Sequence, residues 1–352
     1  MVRPIYLIAG ALLNAAGDEA SDLHGAAPTP QPLAFDPARR AHAIATPRLP
    51  VDLFDRKIQR SVEPQGLRLL HCAARLATEL RALELPPERV GLTAAIPEVD
   101  APSPCWDAVE AIRSQPEKPV AALFANTPPL HALTLLNSSV MAYVAEALRC
   151  NGPMGGYCSQ ANAGLDALIE AVLQIAEGRA DAMLMVSTSP NLTPALYLRE
   201  PSMGEADAEV HGEGAAALLL AAAPAEHATQ RVRVVGFARG YGAIGERATA
   251  VVERVLKQAL KDERLNLSDV EQIVADPADP LLNTLLGRHR PLQSSRSRTG
   301  NLGASSLPTE VLYALGDPGY GDVPRHALLL NRTSAGHCGA LLLAIDYTEK
   351  GA

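Results

Sequence analysis

Five cysteines, Cys72, Cys105, Cys150, Cys158 and Cys338, are the candidate thiol nucleophiles of this sequence. They are odd in number and form no CxxC pair, so they outline neither a disulfide frame nor a zinc knuckle. That usage predicts a reducing, cytoplasmic setting with no metal and no cofactor. Cys158 is the thiol nearest to a helix start, because an apolar helical repeat opens at Asn162. A thiol at the head of a buried helix is drawn toward thiolate by the helix dipole, and the backbone N–H groups there stabilise an oxyanion. On an extended piece the same residue reads as a small buried hydrophobe. His337 and Cys338 are a second thiol and imidazole side by side, but neighbours on a strand face opposite ways and cannot work as a pair. His211 reads as a loop residue.

These groups need elements to hold them. Residues 157–160 read as an extended piece leading into a helix over 162–177, with Leu165, Leu168, Ile169, Val172, Leu173 and Ala176 on its apolar positions. Gly178 ends that helix and 182–186 is a fully apolar strand, so the unit predicts a parallel sheet with a right-handed crossover. Upstream, 5–13 reads as a buried strand, 14–60 as a long surface excursion, 61–85 as one amphipathic helix and 89–94 as a strand. A helix near 106–114, a short strand at 120–124 and a helix over 136–148, stopped by Asn151-Gly152-Pro153, complete the first set. After a polar loop over 187–213, strands are expected at 215–222, 232–238 and 272–275, and helices at 248–260 and 305–315. Strands 327–331 and 340–345 pair to close the second set. The order predicts two similar α/β halves, residues 1–200 and 201–352.

Of the 352 residues 47% are apolar and 20% charged, with a net charge of −8, the balance of an ordinary soluble globular protein. An acidic total argues against a nucleic-acid surface. No apolar stretch reaches the ~18–20 residues of a membrane span. One basic residue, Arg3, and Pro4 before the first apolar run favour a strand there over a signal peptide. With 4 Phe, 8 Tyr and 1 Trp, the core must be built from Ala, Leu and Val.

Four segments resemble the ketoacyl-synthase branch of the thiolase-fold enzymes. They are Gly152-Pro153 with Gly164-Leu165-Asp166-Ala167-Leu168 and the run from Glu177 to Leu184, then Gly212-Glu213-Gly214-Ala215, then Gly300-Asn301-Leu302-Gly303-Ala304-Ser305-Ser306, and last Ser334-Ala335-Gly336-His337-Cys338-Gly339. In that family these places hold the nucleophile elbow, the GEGA strand, the turn carrying a catalytic His or Asn, and a Gly-rich gating loop. The resemblance runs from about residue 120 to 346 in family order. It implies a five-layered αβαβα arrangement and a dimer.

The family's cysteine falls nine residues after the Gly of its Gly-Pro and four before the Leu of its helix, and both counts land on Ala161. A frame shifted by three would make Cys158 the nucleophile instead. Gln160 is one residue early for the Gln that chain-length factors carry at the cysteine position. The family's first His position falls on Asp276 and its second on Asn301, which type III members share. A carboxylate at 276 would repel a malonyl group and could not donate to an enolate. The local run Ser295-Arg296-Ser297-Arg298 lacks the family lysine and reads as a solvated basic loop or a grip for an acyl-carrier protein. Asp166 is expected to make structural hydrogen bonds. Gln160, Asn162, His337 and Cys338 are the tunnel or gating candidates.

The resemblance implies a catalytically degenerate chain-length-factor-like subunit of a polyketide, aryl-polyene or fatty-acid-type system. It would pair as a heterodimer with an active ketosynthase, meet the acyl-carrier protein through that partner and shape the acyl tunnel. The alternatives are an active β-ketoacyl synthase or acyltransferase using Cys158, and a scaffold that recruits the carrier without shaping a tunnel.

Overall fold

The computed structural model describes residues 3–98, 105–127, 137–199, 209–225, 230–242, 246–333 and 335–347. In chain order, the first half opens with β1 (Tyr6–Asn14), the hairpin β2 (Gln31–Leu33) and β3 (Asp36–His42), and helices α1 (Arg56–Ser61), α2 (Pro64–Arg75) and α3 (Ala77–Ala82). Next come β4 (Val90–Ala95), α4 (Cys105–Ser114), α5 (Pro119–Asn126), α6 (Asn137–Leu148) and β5 (Met154–Tyr157). The buried helix α7 (Ala163–Ala176), β6 (Ala182–Thr188), α8 (Pro194–Arg199), β7 (His211–Gly212) and β8 (Gly214–Ala221) follow. The second half holds β9 (Gln230–Tyr241), α9 (Glu246–Leu260), β10 (Gln272–Val274), α10 (Pro280–Leu286), α11 (Arg296–Thr299), α12 (Ser306–Leu315), β11 (Arg325–Arg332) and β12 (His337–Tyr347).

The large sheet has the order β10-β11-β12-β9-β1-β8-β6-β4-β5. Read outward from its middle, β1-β8-β6-β4 and β9-β12-β11-β10 repeat one pattern: two antiparallel contacts, then a parallel one. The halves join at β1 and β9 through Tyr6↔Arg233 and Leu7↔Val232. By pairing, β8 lies between β1 and β6, with the strands of the first set.

Three cores separate the layers. Met183, Met185, Ala216, Leu218 and Leu220 face a central core that also holds α7 and α12 and, from the second half, Leu329, Leu341 and Leu343. The alternate residues Leu184, Val186, Ala217 and Leu219 face α2 and α6. In the second half Leu328, Leu330 and Leu342 face α9 and α10. Both faces of the large sheet are therefore covered along these strands, which is why they read as unbroken apolar runs. The result is the αβαβα layering. Helix α7 buries Leu165, Leu168, Ile169, Val172 and Ile175, each contributing about 1.5–3 kcal/mol, and Gly178, at φ +73°, ends it.

Four local expectations are corrected. Residues 120–124 are helical, not a strand: Pro119 presets the first turn, and Ala121, Ala122 and Leu123 are strong helix formers. The 14–60 stretch is no mere excursion, because Leu23, Leu33, Ala41, Leu49 and Phe54 are all buried. The 61–85 helix breaks at Leu76 into α2 and α3, where ψ opens to 6°. The 187–213 loop contains the end of β6, α8 and β7.

Candidate functional site

The two buried helices begin alike. A 3-10 turn, Gln160–Asn162, precedes α7, and another, Gly303–Ser305, precedes α12. The two heads meet: a Cβ on Gly164 would run into the Ala304 carbonyl, so only glycine allows this approach. Two positive helix ends thus converge on one place.

Ala161 is in the first of these turns, half-buried, and its carbonyl accepts a 2.7 Å hydrogen bond from Asn331 Nδ2. Asn162 is buried and its side-chain oxygen has no hydrogen-bond partner among the described residues. The backbone of Gln160 shares the turn. Cys158 lies between β5 and the turn and is exposed. Next to it, Ser159 Oγ donates to Asp166 Oδ2 at 2.7 Å, and Arg239 Nη1 donates to Asp166 Oδ1 at 3.2 Å. Asp166 therefore ties the approach to α7 onto β9.

Asp276 follows β10. Its Oδ1 accepts the Ala278 N–H at 2.9 Å, and its Oδ2 accepts Arg296 Nη1 at 2.7 Å. Asn301 Oδ1 accepts the Gly303 N–H at 2.8 Å and Ser306 Oγ at 3.2 Å, so its carbonyl end serves the turn. A cleft of about 20 Å³ is lined by Asp276, Asp279, Arg296, Ser306, Glu310 and Asn331 among others. Asn331 bonds from it to the Ala161 carbonyl and Ser306 to Asn301, but neither Ala161 nor Asn301 lines it. It has room for roughly one water. No acyl chain fits there.

The basic loop is not solvated. Arg296 is 21% exposed and also bonds Glu209, at 2.5 Å, while Arg298 Nε donates to the Gly25 carbonyl at 2.8 Å. His211 is not a loop residue: it is buried in β7, paired with Ala41 of β3, and meets the Tyr197 ring edge-on at 5.2 Å. His337 and Cys338 part as expected. His337 is half-buried against the Tyr241 ring at 5.1 Å, whereas Cys338 is buried in the outer core. Burial pushes the Cys338 thiol up to about 12, and Cys72 and Cys150 likewise, the opposite of what a nucleophile needs. Ser334, in the expected gating loop, lies outside the described residues.

Arg68, Glu310 and Asn331 are not singled out by the sequence, and the ion pairs of Arg296 and the bond of Ser306 to Asn301 are not visible in it. Asn331 leaves a trace: it is a polar residue ending the apolar run 327–330. Glu310 is fully buried in α12, where Ser294 Oγ, the Ser295 N–H and Ser295 Oγ donate to it. Burial raises its pKa against those bonds and the nearby Arg296 charge. A carboxyl raised in the fold holds its proton there, so its stabilising share is present at low pH and lost as pH climbs above 4.5. Glu310→Gln, which stays neutral, should remove that component. Urea midpoints of the unchanged chain should fall relative to the variant's as pH rises above 4.5. Parallel profiles would mean an ionised Glu310.

Among the described residues no helix is long and apolar enough to cross a membrane, and no cluster of His, Cys, Asp or Glu is arranged to hold a metal. No protein-family model and no curated protein matches the sequence. Solved structures do. A β-ketoacyl synthase from Burkholderia phymatum superposes with a TM-score of 0.75 at 16% identity, covering 99% of this chain and 100% of that one. The ishigamide ketosynthase/chain length factor gives 0.76 at 16%, covering 97% and 99%. The ketosynthase ApeO in complex with its chain length factor ApeC, from Xenorhabdus doucetiae, gives 0.68 at 15%, covering 97% and 98%. At such identities the likeness speaks for architecture, and over nearly its whole length this chain has the thiolase-like fold of the ketosynthases and their chain length factors.

Proposed function

We propose that this chain is a non-condensing, chain-length-factor-like subunit that pairs with an active ketosynthase and helps to shape its acyl tunnel. The observation that carries the reading is the methyl group of Ala161 in the turn that heads α7, where a condensing enzyme of this fold needs a thiolate. Asp276 adds to it, being an acceptor already engaged by Arg296 where an imidazole donor would be required. Two of the structural neighbours are described as a ketosynthase with a chain length factor. Sheet topology supports a partner as well. β5 pairs with β4 on one side, and among the described residues no strand lies on its other side, where Met154 is exposed. Such an edge calls for cover. The acyl-carrier protein would be met through the partner.

Co-expression with an intact ketosynthase should yield a one-to-one complex. Exposure of that complex to a labelled acyl-carrier thioester should place label on the ketosynthase alone. A second reading, catalysis by Cys158, rests on that thiol's exposure just ahead of the turn. Stable acylation of this chain, abolished by Cys158→Ala, would establish it and end the first.

A further inference from the structure

Helix α5 carries no polar side chain from Pro119 to Ala125. A helix that is apolar on every side belongs under cover. Yet Val120 is 64% exposed, Leu123 41% and Phe124 77%, and their spacing at i, i+3 and i+4 puts them on one stripe. Val109 of α4 adds a fourth exposed apolar side chain. The two helices pack chiefly on each other as a hairpin. Each buries one alanine, Ala108 and Ala122, and neither alanine belongs to the three cores. Charge is nearly balanced along the hairpin, where Asp107, Glu110 and Glu117 stand against Arg113 and Lys118, and Glu110 pairs with Arg113 at 3.8 Å. The hairpin therefore has no basic cluster to grip an acidic carrier protein or an anionic membrane.

Both ends of the hairpin lead to the open edge of the large sheet. Ahead of it, the Ile96 N–H donates to the Tyr157 carbonyl at 3.1 Å, tying the end of β4 to the end of β5, and Gln65 Nε2 donates to the Pro97 carbonyl at 3.2 Å. After it comes α6, which packs on β5 so closely that a Cβ on Gly156 would lie 3.1 Å from Met141 Sδ. A chain set alongside the open side of β5 would have its body next to α4 and α5. We propose that the α4–α5 hairpin is a docking surface continuous with the β5 edge, and that the ketosynthase subunit covers its apolar stripe. The proposal rests on the paired-subunit reading above and adds which surface, beyond the strand edge, does the binding. The covering surface must itself be apolar, since a charge buried against Phe124 would find no counter-ion.

The full chain co-expressed with an intact ketosynthase provides the test. Val120→Asp and Phe124→Asp should each raise the dissociation constant of the complex by about thirtyfold or more, the loss of a central apolar anchor. Val323→Asp, at a valine 62% exposed ahead of β11 and toward the opposite edge of the sheet, should leave it unchanged. All three side chains face solvent in the single chain, so its urea midpoint should hold in every variant. In the unchanged chain, amide exchange over 119–126 should slow by about tenfold or more on assembly. Assembly indifferent to Val120→Asp and Phe124→Asp, exchange that does not slow, or a midpoint that falls because this chain covers its own stripe would each overturn the docking surface. So would self-association through the same residues, which makes a second copy the occupant, or adsorption to phosphatidylcholine vesicles that Phe124→Asp abolishes, which makes it lipid. Failure of the unchanged chain to form any complex would strike the paired-subunit reading and the surface with it, so the two failures are distinct.

Discussion

Replacing Arg68 by Met should destabilise the fold by about 3–5 kcal/mol, the cost of leaving a carboxylate only 13% exposed without its counter-ion. Arg68 is 1% exposed, carried on α2 in the layer outside the first sheet. Its Nη1 bonds Glu213 Oε1 at 3.0 Å, and its Nη2 reaches the carbonyls of Ser189 and Pro190 and Asn191 Oδ1 at 3.2–3.3 Å. Burial draws the Arg68 pKa down, and the Glu213 charge and hydrogen bond push it back up. Without the guanidinium, Glu213 keeps the Ile44 N–H, and three acceptors in the 189–191 turn lose a partner. Glu213→Gln should cost less, since an amide oxygen still accepts from Arg68. Removing both charges, as Arg68→Met with Glu213→Leu, should cost less than Arg68→Met alone, because no buried charge is then stranded. Urea unfolding measures all three. A loss below about 1 kcal/mol for Arg68→Met would mean that water reaches the pair.

This pair explains one part of the sequence resemblance and shows where sequence reading stops. Glu213 lies in the GEGA segment, visible as a motif, but its function as the buried anion of Arg68 spans 145 positions and has no periodic signal. The helix α7 was legible because its buried residues repeat at 3.6 residues over fourteen positions. The strands β6, β8, β11 and β12 were legible for a related reason, being apolar on both faces. Residues 120–124 were not, because a five-residue apolar run satisfies either period, and only Pro119 at its head signals a helix. Phe54 and Leu23 are single anchors in polar surroundings, which no pattern marks. At the site, a type-by-type reading left Arg296 in a basic loop, either solvated or gripping an acyl-carrier protein, and offered no sign of its ion pairs. Its partner Asp276 is twenty positions away, and only the folded chain brings the two together.

Ala161→Cys should convert a chain that takes no acyl group into one that takes about one per molecule, while leaving condensation undetected. The substituted residue would sit in the 3-10 turn at the head of α7, held from behind by the Asn331 bond to its carbonyl. The helix dipole favours its thiolate, and free N–H groups of the first turn favour the oxyanion of thioester exchange. In that exchange the new sulfur attacks the carbonyl carbon of the acyl thioester. The carrier's sulfur leaves and takes up the proton. Condensation asks for more, since loss of carbon dioxide from a malonyl thioester leaves an enolate that must be met by donors. Asp276 offers none, and with Asn301 Oδ1 engaged by Gly303 and Ser306 the Asn301 Nδ2 is the one donor left of the two positions. Losing one such donor costs roughly 10²–10³ in rate, so condensation should fall about a thousandfold or more below acyl transfer. Mass spectrometry after incubation with a labelled acyl-pantetheine, and with malonyl thioester added, reads both steps. No label on Ala161→Cys would take the acyl-accepting position away from the head of α7. Label followed by product would show that Asn301 suffices without an imidazole.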